Sequence, residues 1–259
     1  MNEPNKNSVS LCITCCNRLW QLRQTLPVNL SLYENYDNVE FILLNLNSQD
    51  GLDDYIRNDE YINKFIKSGK LIYAHDERTK YYSSPKAKNL SHRLAKNNIL
   101  FNLDGDQYAD KLVDYILNYA WEDDMFMHLQ NKPIQPGSWG RIVVPKTLFY
   151  KMGGYDESFY PMAYQDCDIM HRMVAYGAKK HIAKVEQDHV SIPNSLEQKT
   201  VNTGCDIEWE KMREFNVKTS KENIKNGNLV VNLKGWGECH LKINFGDEVY
   251  FSPIYPNII

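Results

Sequence analysis

Asp104-Gly105-Asp106 places two carboxylates one glycine apart, directly after the apolar run Leu100-Phe101-Asn102-Leu103. If that run is a buried strand, both acids arrive together at a sheet edge. Hard oxygen ligands in that position suit a divalent cation held against a diphosphate. Asp-Gly-Asp is also good turn chemistry, and the segment alone leaves both readings open. A second acidic pair, Asp166-Cys167-Asp168, precedes Ile169, Met170, Met173 and Val174, which recur at helical spacing up to Gly177. Carboxylates at such a helix start favour the N-terminal dipole and can cap free amides, so capping alone would explain them.

The elements that must position these acids alternate between strand and helix. Ser8 to Thr14 is apolar and β-prone and predicts a first strand, followed by Leu19, Leu22, Leu26 and Leu30 at helical spacing, with Pro27 as a break or end. Val39 to Leu44 predicts a second strand, Asn45 to Gly51 a polar loop, and Leu52 to Lys67 a helix. Lys70 to Ala74 predicts a strand, Ala87 to Asn97 a helix, and Ile99 to Leu103 the strand before the acidic pair. This order calls for an α/β fold with a mostly parallel sheet flanked by helices. Ligands of such sheets collect beyond the carboxyl ends of the strands, so Asn17-Arg18, Asn45 to Asp50 and Asp104 to Asp106 are expected to share one cleft. Further on, Gly140 to Val144 predicts a strand, Lys146 to Met152 a short helix, and Gly153-Gly154-Tyr155-Asp156-Glu157 a turn.

A chain of 259 residues that is 42% hydrophobic and 24% charged can bury a sizeable core. Its formal net charge of -3 supplies no basic field for nucleic acid. No run of about 18 apolar residues occurs, so no transmembrane segment is expected. The six cysteines, three of them in or beside the first predicted strand, resemble neither a disulfide framework nor paired zinc knuckles. A cytoplasmic protein with reduced thiols is the expectation, with room for peripheral contact with the inner face of a membrane.

The order of motifs from about Ser8 to His189 resembles the GT-A glycosyltransferases, specifically family 2 enzymes with a second half like the beta-1,4-galactosyltransferases. The residues that carry the resemblance are Thr14-Cys15-Cys16-Asn17-Arg18 after the first strand, the polar loop Asn45-Leu46-Asn47-Ser48-Gln49-Asp50, Ala87-Lys88-Asn89, and Asp104-Gly105-Asp106 as a DxD motif. Gly153-Gly154-Tyr155-Asp156-Glu157, Gln165-Asp166-Cys167-Asp168-Ile169 and His171-Arg172 match the galactosyltransferase pattern of a glycine-aromatic turn followed by an acidic cluster and a helix. Three departures stand out. Asn45 replaces the usual aspartate of the nucleotide loop, although its amide oxygen can still accept a hydrogen bond from a uracil imide. Lys88 replaces the usual arginine and loses the planar fork. Gln165 replaces a glutamate and removes one charge beside Asp166.

The resemblance implies an inverting transfer of a hexose, galactose or N-acetylgalactosamine, from a UDP-sugar to a glycan hydroxyl, with Mn2+ or Mg2+ as cofactor. It implies that Asp166 is the general base, that Asp106 ligates the metal, and that Asp104 binds the ribose or a water on the metal. His189 is the implied third ligand, a plain loop histidine being the alternative. Thr14, Asn17, Arg18, Asn45, Asn47 and Lys88 join the two acids on the donor side. Trp139, Gly154, Tyr155, Gln165 and Asp168 fall on the acceptor side, where aromatic rings, 12% of this chain, can face the apolar side of a pyranose. Residues 1–193 are expected to form the catalytic domain. Residues 194–259, with short strands near Leu229 to Leu233, His240 to Phe245 and Glu248 to Phe251, are expected to form an extension packed on it that could cover the acceptor cleft or support an oligomer contact. A nucleotidyltransferase of related fold and a non-catalytic sugar-binding module remain the competing readings. The first would need a glycine-rich basic N-terminal loop, which is missing, and the second would have no use for Asp104, Asp106 and Asp166 together.

Overall fold

The computed structural model describes residues 7–131, 139–188 and 190–256. The first half alternates as expected: β1 (Val9–Cys15), α1 (Leu19–Leu32), β2 (Val39–Leu46), α2 (Leu52–Asn58), α3 (Glu60–Lys67), β3 (Leu71–Asp76), α4 (Ser84–Leu94) and β4 (Ile99–Asn102). The second half adds α5 (Leu112–Leu117), β5 (Met125–Asn131), β6 (Ile142–Pro145), α6 (Lys146–Lys151), α7 (Gln165–Tyr176) and β7 (Lys179–Val185). It closes with α8 (Leu196–Thr200), α9 (Trp209–Lys225), β8 (Cys239–Ile243) and β9 (Glu248–Phe251).

All nine of these strands join one sheet in the order β7-β5-β6-β4-β1-β2-β3-β8-β9. The central β4-β1-β2-β3 block is parallel, β5 and β7 are parallel to each other, and β6 and β8 run against their neighbours. Successive strand residues point to opposite faces, so the sheet is covered on both sides. Leu11, Ile13, Phe41, Leu43 and Phe101 pack with Leu22 and Leu26 of α1 and Val113 and Ile116 of α5. Cys12, Ile42, Leu100, Phe126 and Val144 pack on the other face with Phe149 of α6 and with Ile169, Met170 and Met173 of α7.

Three expectations need correction, and one strand was not foreseen. Helix α1 continues through Pro27, which removes one backbone rung without ending the helix. The helix expected over Leu52 to Lys67 is two helices, because extended Asp59 interrupts it and its side chain caps Ile62 N at 3.0 Å. Strand β5 had no counterpart in the sequence reading. Leu229 to Leu233 is irregular rather than a strand: Val231 N donates to Met152 O, and Asn232 takes a φ of 55°. The hairpin β8-β9 continues the sheet from β3 through antiparallel pairing of Ala74 with Ile243, so residues 194–259 share the sheet of the N-terminal region. Among the described residues no helix is long and apolar enough to cross a membrane, and all six cysteines are free thiols.

Candidate active site

The carboxyl ends of β1, β2 and β4 open on the same edge of the sheet, and antiparallel β6 begins there, which brings Gly140 to it. After β4 the chain makes a turn closed by Gln107 N donating to Asp104 O at 2.9 Å. Gly105 lets that turn run along the end of β1, where an added Cβ would stand 3.3 Å from Thr14 O. The turn leaves the two carboxylates in different surroundings. Asp106 Oδ2 accepts from Asn194 Nδ2 at 2.5 Å, and burial and then the neighbouring Asp104 charge push its carboxyl up to about 7. Asp104 Oδ1 lies 3.3 Å from Lys88 Nζ and 3.2 Å from Asn102 Nδ2.

Lys88 links this turn to the second acidic segment. Its ammonium, 3% exposed, also donates to Asp166 Oδ1 at 2.7 Å, so one buried cation spans Asp104 and Asp166. Burial opposes its charge, but Asp104 and Asp166 outweigh that penalty and hold its pKa well above the ordinary lysine value. Asp166 is pushed up by burial, pulled back by Lys88 and raised again by Asp104. Its Oδ1 accepts from Lys88 and its Oδ2 from Gln165 Nε2 at 3.1 Å. Gln165 Nε2 also reaches Ser84 Oγ, while its Oε1 is buried with no hydrogen-bond partner. Gly140 forms the floor beside these groups: an added Cβ would fall 2.7 Å from Asp104 Oδ2 and 3.4 Å from Lys88 Nζ.

The polar loops after β1 and β2 are tied to each other and to the C-terminal segment. Asn17, at φ 54°, accepts from Gln49 N with its Oδ1 and donates through Nδ2 to Asn202 Oδ1 at 2.8 Å. Arg18 Nη1 donates to Asn194 Oδ1 at 2.6 Å, so Asn194 joins Arg18 to Asp106. Asn45 is fully buried, donating to Tyr73 Oη and accepting from Ser48 N, and Asn47 donates to Thr79 O. Thr14 Oγ1 stands 3.4 Å from Tyr82 Oη. Asn45 and Asn47 therefore shape the loop from within, while Arg18, Asp104, Asp106, Lys88 and Asp166 form a connected charged floor.

No protein-family profile matches the sequence, and no curated protein matches it. Solved structures do match in fold. A mannosyltransferase from Pyrobaculum calidifontis in complex with GDP-Man and Mn2+ superimposes with a TM-score of 0.57 at 15% identity, over 74% of this chain and 59% of that one. A mutant of Drosophila beta-1,4-galactosyltransferase 7, in complex with manganese, UDP-Gal and xylobiose, gives 0.52 at 14% identity, over 80% of this chain and 79% of that one. The catalytic domain of the same Drosophila enzyme with xylobiose gives 0.53. The fold is GT-A. The chain spans 59% of the length of the mannosyltransferase.

Within this GT-A fold the acidic turn fits a divalent cation. Its donors are hard carboxylate oxygens, and Asp106 carries a desolvated, charge-crowded carboxyl that a cation would relieve. Among the described residues no third His, Cys, Asp or Glu side chain completes a cluster, and His189 lies outside the described residues. The residues expected on the acceptor side divide. Trp139 is 60% exposed, with its ring 5.6 Å from that of His128, and Gln165 borders Asp166. Gly154, Tyr155 and Asp168 lie in the interior. Gly154 O accepts from Arg172 Nη2, Tyr155 packs on Phe149 and His92, and Asp168 Oδ2 pairs with Arg172 Nε at 2.7 Å. They brace the wall behind Asp166 and do not line its mouth.

Four residues around the candidate site had no functional role in the sequence reading. Asn102, Asn194 and Asn202 hold Asp104, Asp106 and Asn17 respectively. Arg141 is fully buried, with Nε on Gln107 Oε1 at 3.2 Å, Nη2 on Val190 O at 2.6 Å and Nη1 on Asn131 Oδ1 and Gln187 Oε1. Burial draws its pKa down to about 10, with Asp104 and then Asp106 opposing. A charged residue at the mouth of the apolar run Ile142 to Val144 was the available signal for it; lone asparagines carry none.

Proposed function

We propose that this chain is an inverting, metal-dependent glycosyltransferase that moves a hexose from a UDP-sugar to a glycan hydroxyl. The observation that carries the reading is the single buried ammonium of Lys88 spanning Asp104 and Asp166. It sets a candidate base beside a candidate diphosphate site at the edge where α/β sheets bind nucleotides. A divalent cation bound there would neutralise the charge that gathers on the departing nucleoside diphosphate. Asp106 and Asp104 would hold that cation, with Asn194 fixing the orientation of Asp106. Arg18, joined to Asp106 through Asn194, adds a positive charge on the donor side. Asp166 takes the proton of the acceptor hydroxyl as that oxygen attacks the anomeric carbon opposite the diphosphate, which leaves with the bonding pair. Burial, with Asp104, raises the pKa of Asp166 against the pull of Lys88, so its carboxylate is a stronger proton acceptor than an ordinary aspartate.

Galactose or N-acetylgalactosamine is the proposed hexose. Support comes from the segments Gly153 to Glu157 and Gln165 to Ile169, together with the fold shared with an enzyme solved with UDP-Gal. Thermal shift with UDP-Gal, UDP-GalNAc and GDP-Man, each with and without Mn2+, tests the donor, because a ligand that binds only the native state raises the melting temperature. Stabilisation by a UDP-hexose that disappears with chelator is the expected result. Equal stabilisation with and without Mn2+ removes the metal from the site, and a response to GDP-Man alone replaces the donor.

A further inference from the structure

Asn216 lies in the interior of α9, fully buried, a position where asparagine is a poor helix former. Its side chain is spent on one distant turn. Oδ1 accepts from Tyr160 N at 2.9 Å, and Nδ2 faces Ala163 O at 2.8 Å, Met162 O at 3.0 Å and Tyr160 O at 3.3 Å. The turn it holds is strained. Ala163 and Tyr164 both sit at positive φ, 76° and 67°, a region that residues with side chains rarely occupy and keep only when their surroundings impose it. Tyr164 is the N-cap residue immediately before α7, and Asp166 is the second residue of that helix. On the opposite side, Ser84 N at the start of α4 donates to Pro161 O at 2.8 Å, and Ser84 Oγ accepts from Gln165. The turn is gripped from both sides immediately ahead of the carboxylate.

We infer that Asn216 is a positioning residue for Asp166: it holds the 160–164 turn in its left-handed conformation and thereby sets where the Asp166 carboxylate meets the acceptor hydroxyl. The inference rests on the proposed role of Asp166 as base. It gives the segment after residue 193 a part in the chemistry, alongside the grip of Asn194 on Asp106 and of Asn202 on Asn17. A buried asparagine that only satisfied its surroundings would affect the amount of folded protein and not the turnover of each folded molecule.

The test compares wild type with Asn216→Ala, Asn216→Asp, and Asn216→Ala combined with Ala163→Gly, measuring kcat, donor Kd and melting temperature in each. A misplacement of about 1 Å at a reacting group costs about 100-fold in rate, so Asn216→Ala should lose kcat on that scale per folded molecule while donor Kd stays within about twofold. Asn216→Asp keeps the acceptor for Tyr160 N and loses the donors to the carbonyls, so it should fall in the same direction and serves if the alanine variant does not fold. Glycine at 163 adopts positive φ without strain, so the double variant should recover about tenfold in kcat or more. A kcat per folded molecule within threefold of wild type in both single variants overturns the inference. So does a double variant that regains melting temperature and no kcat. If wild type transfers no sugar, or Asp166→Asn transfers as fast as wild type, the functional reading itself fails.

Discussion

Replacing Lys88 by methionine removes the charge that joins Asp104 to Asp166 and keeps most of the side-chain volume. Removing one partner of a buried ion pair costs about 3–5 kcal/mol, because the other charge stays behind unpaired. Here Asp166 is 16% exposed and Asp104 36%, so water can recover part of the loss at Asp104. The lower end, about 3 kcal/mol, is therefore expected. For a chain of this size that is a fall in melting temperature of about 10 °C. The pH dependence distinguishes this cause from simple repacking. Without Lys88 the main downward pull on Asp166 is gone, so its folded-state pKa rises further above the unfolded value. A carboxyl whose folded pKa is raised destabilises above the unfolded pKa and not below it. The gap between Lys88→Met and wild type should thus be widest near pH 8 and shrink as pH falls toward 4. Adding Asp166→Asn to the variant should return much of the stability at pH 8. Urea titrations from pH 4.5 to 8.5 measure both effects, and a gap that does not change with pH, or a second substitution that only adds to the loss, refutes the reasoning.

Three further outcomes follow from the acidic turn. Gly140→Ala would place a methyl group 2.7 Å from Asp104 Oδ2, forcing that carboxylate aside. Mn2+ affinity should fall about tenfold with little change in melting temperature, and unchanged affinity by calorimetry counts against Asp104 as a ligand. Burial and then Asp104 hold Asp106 protonated up to about pH 7, so a cation must displace that proton. Mn2+ binding at pH 6 should release about one proton and weaken about tenfold for each further pH unit lost. In the metal-free protein the same raised pKa makes stability increase as pH falls from 7 toward 4, since the folded state then binds the extra proton. Proton release measured in two buffers of different ionisation enthalpy checks the first statement. An Asp106→Asn variant with the same slope of stability against pH contradicts the second.

The sheet was legible where strands are buried on both faces and read as apolar runs, as in β1, β2 and β4. The reading failed where tertiary partners decide the outcome. Strand β5 carries His128 and Asn131 in the interior, where Arg141 donates to Asn131 Oδ1. Leu229 to Leu233 has strand composition, yet the Asn232 side chain is committed to Gly153 O, Tyr155 O and Glu157 N and its backbone takes a φ of 55°, which breaks the extended run. The acids themselves stood out because type and spacing mark them. The groups that orient them did not, since Asn194, Asn202 and Asn216 act across 53 to 185 residues of sequence and belong to no local pattern. Tyr155 and Asp168 show the converse: a motif matched in sequence whose side chains turn inward as framework, with the backbone carbonyl of Gly154 bound to Arg172 beside them.

The central claim is a division of labour, with Asp104 and Asp106 on the donor diphosphate and Asp166 on the acceptor proton. Acceptor-dependent release of UDP by Asp166→Asn, measured beside donor binding in the same preparation with Mn2+, tests it most directly. Loss of a general base costs about 10²- to 10⁴-fold, so the account predicts a fall of that size in turnover with donor Kd unchanged. Turnover that survives the substitution, or donor binding that is lost with it, contradicts the account.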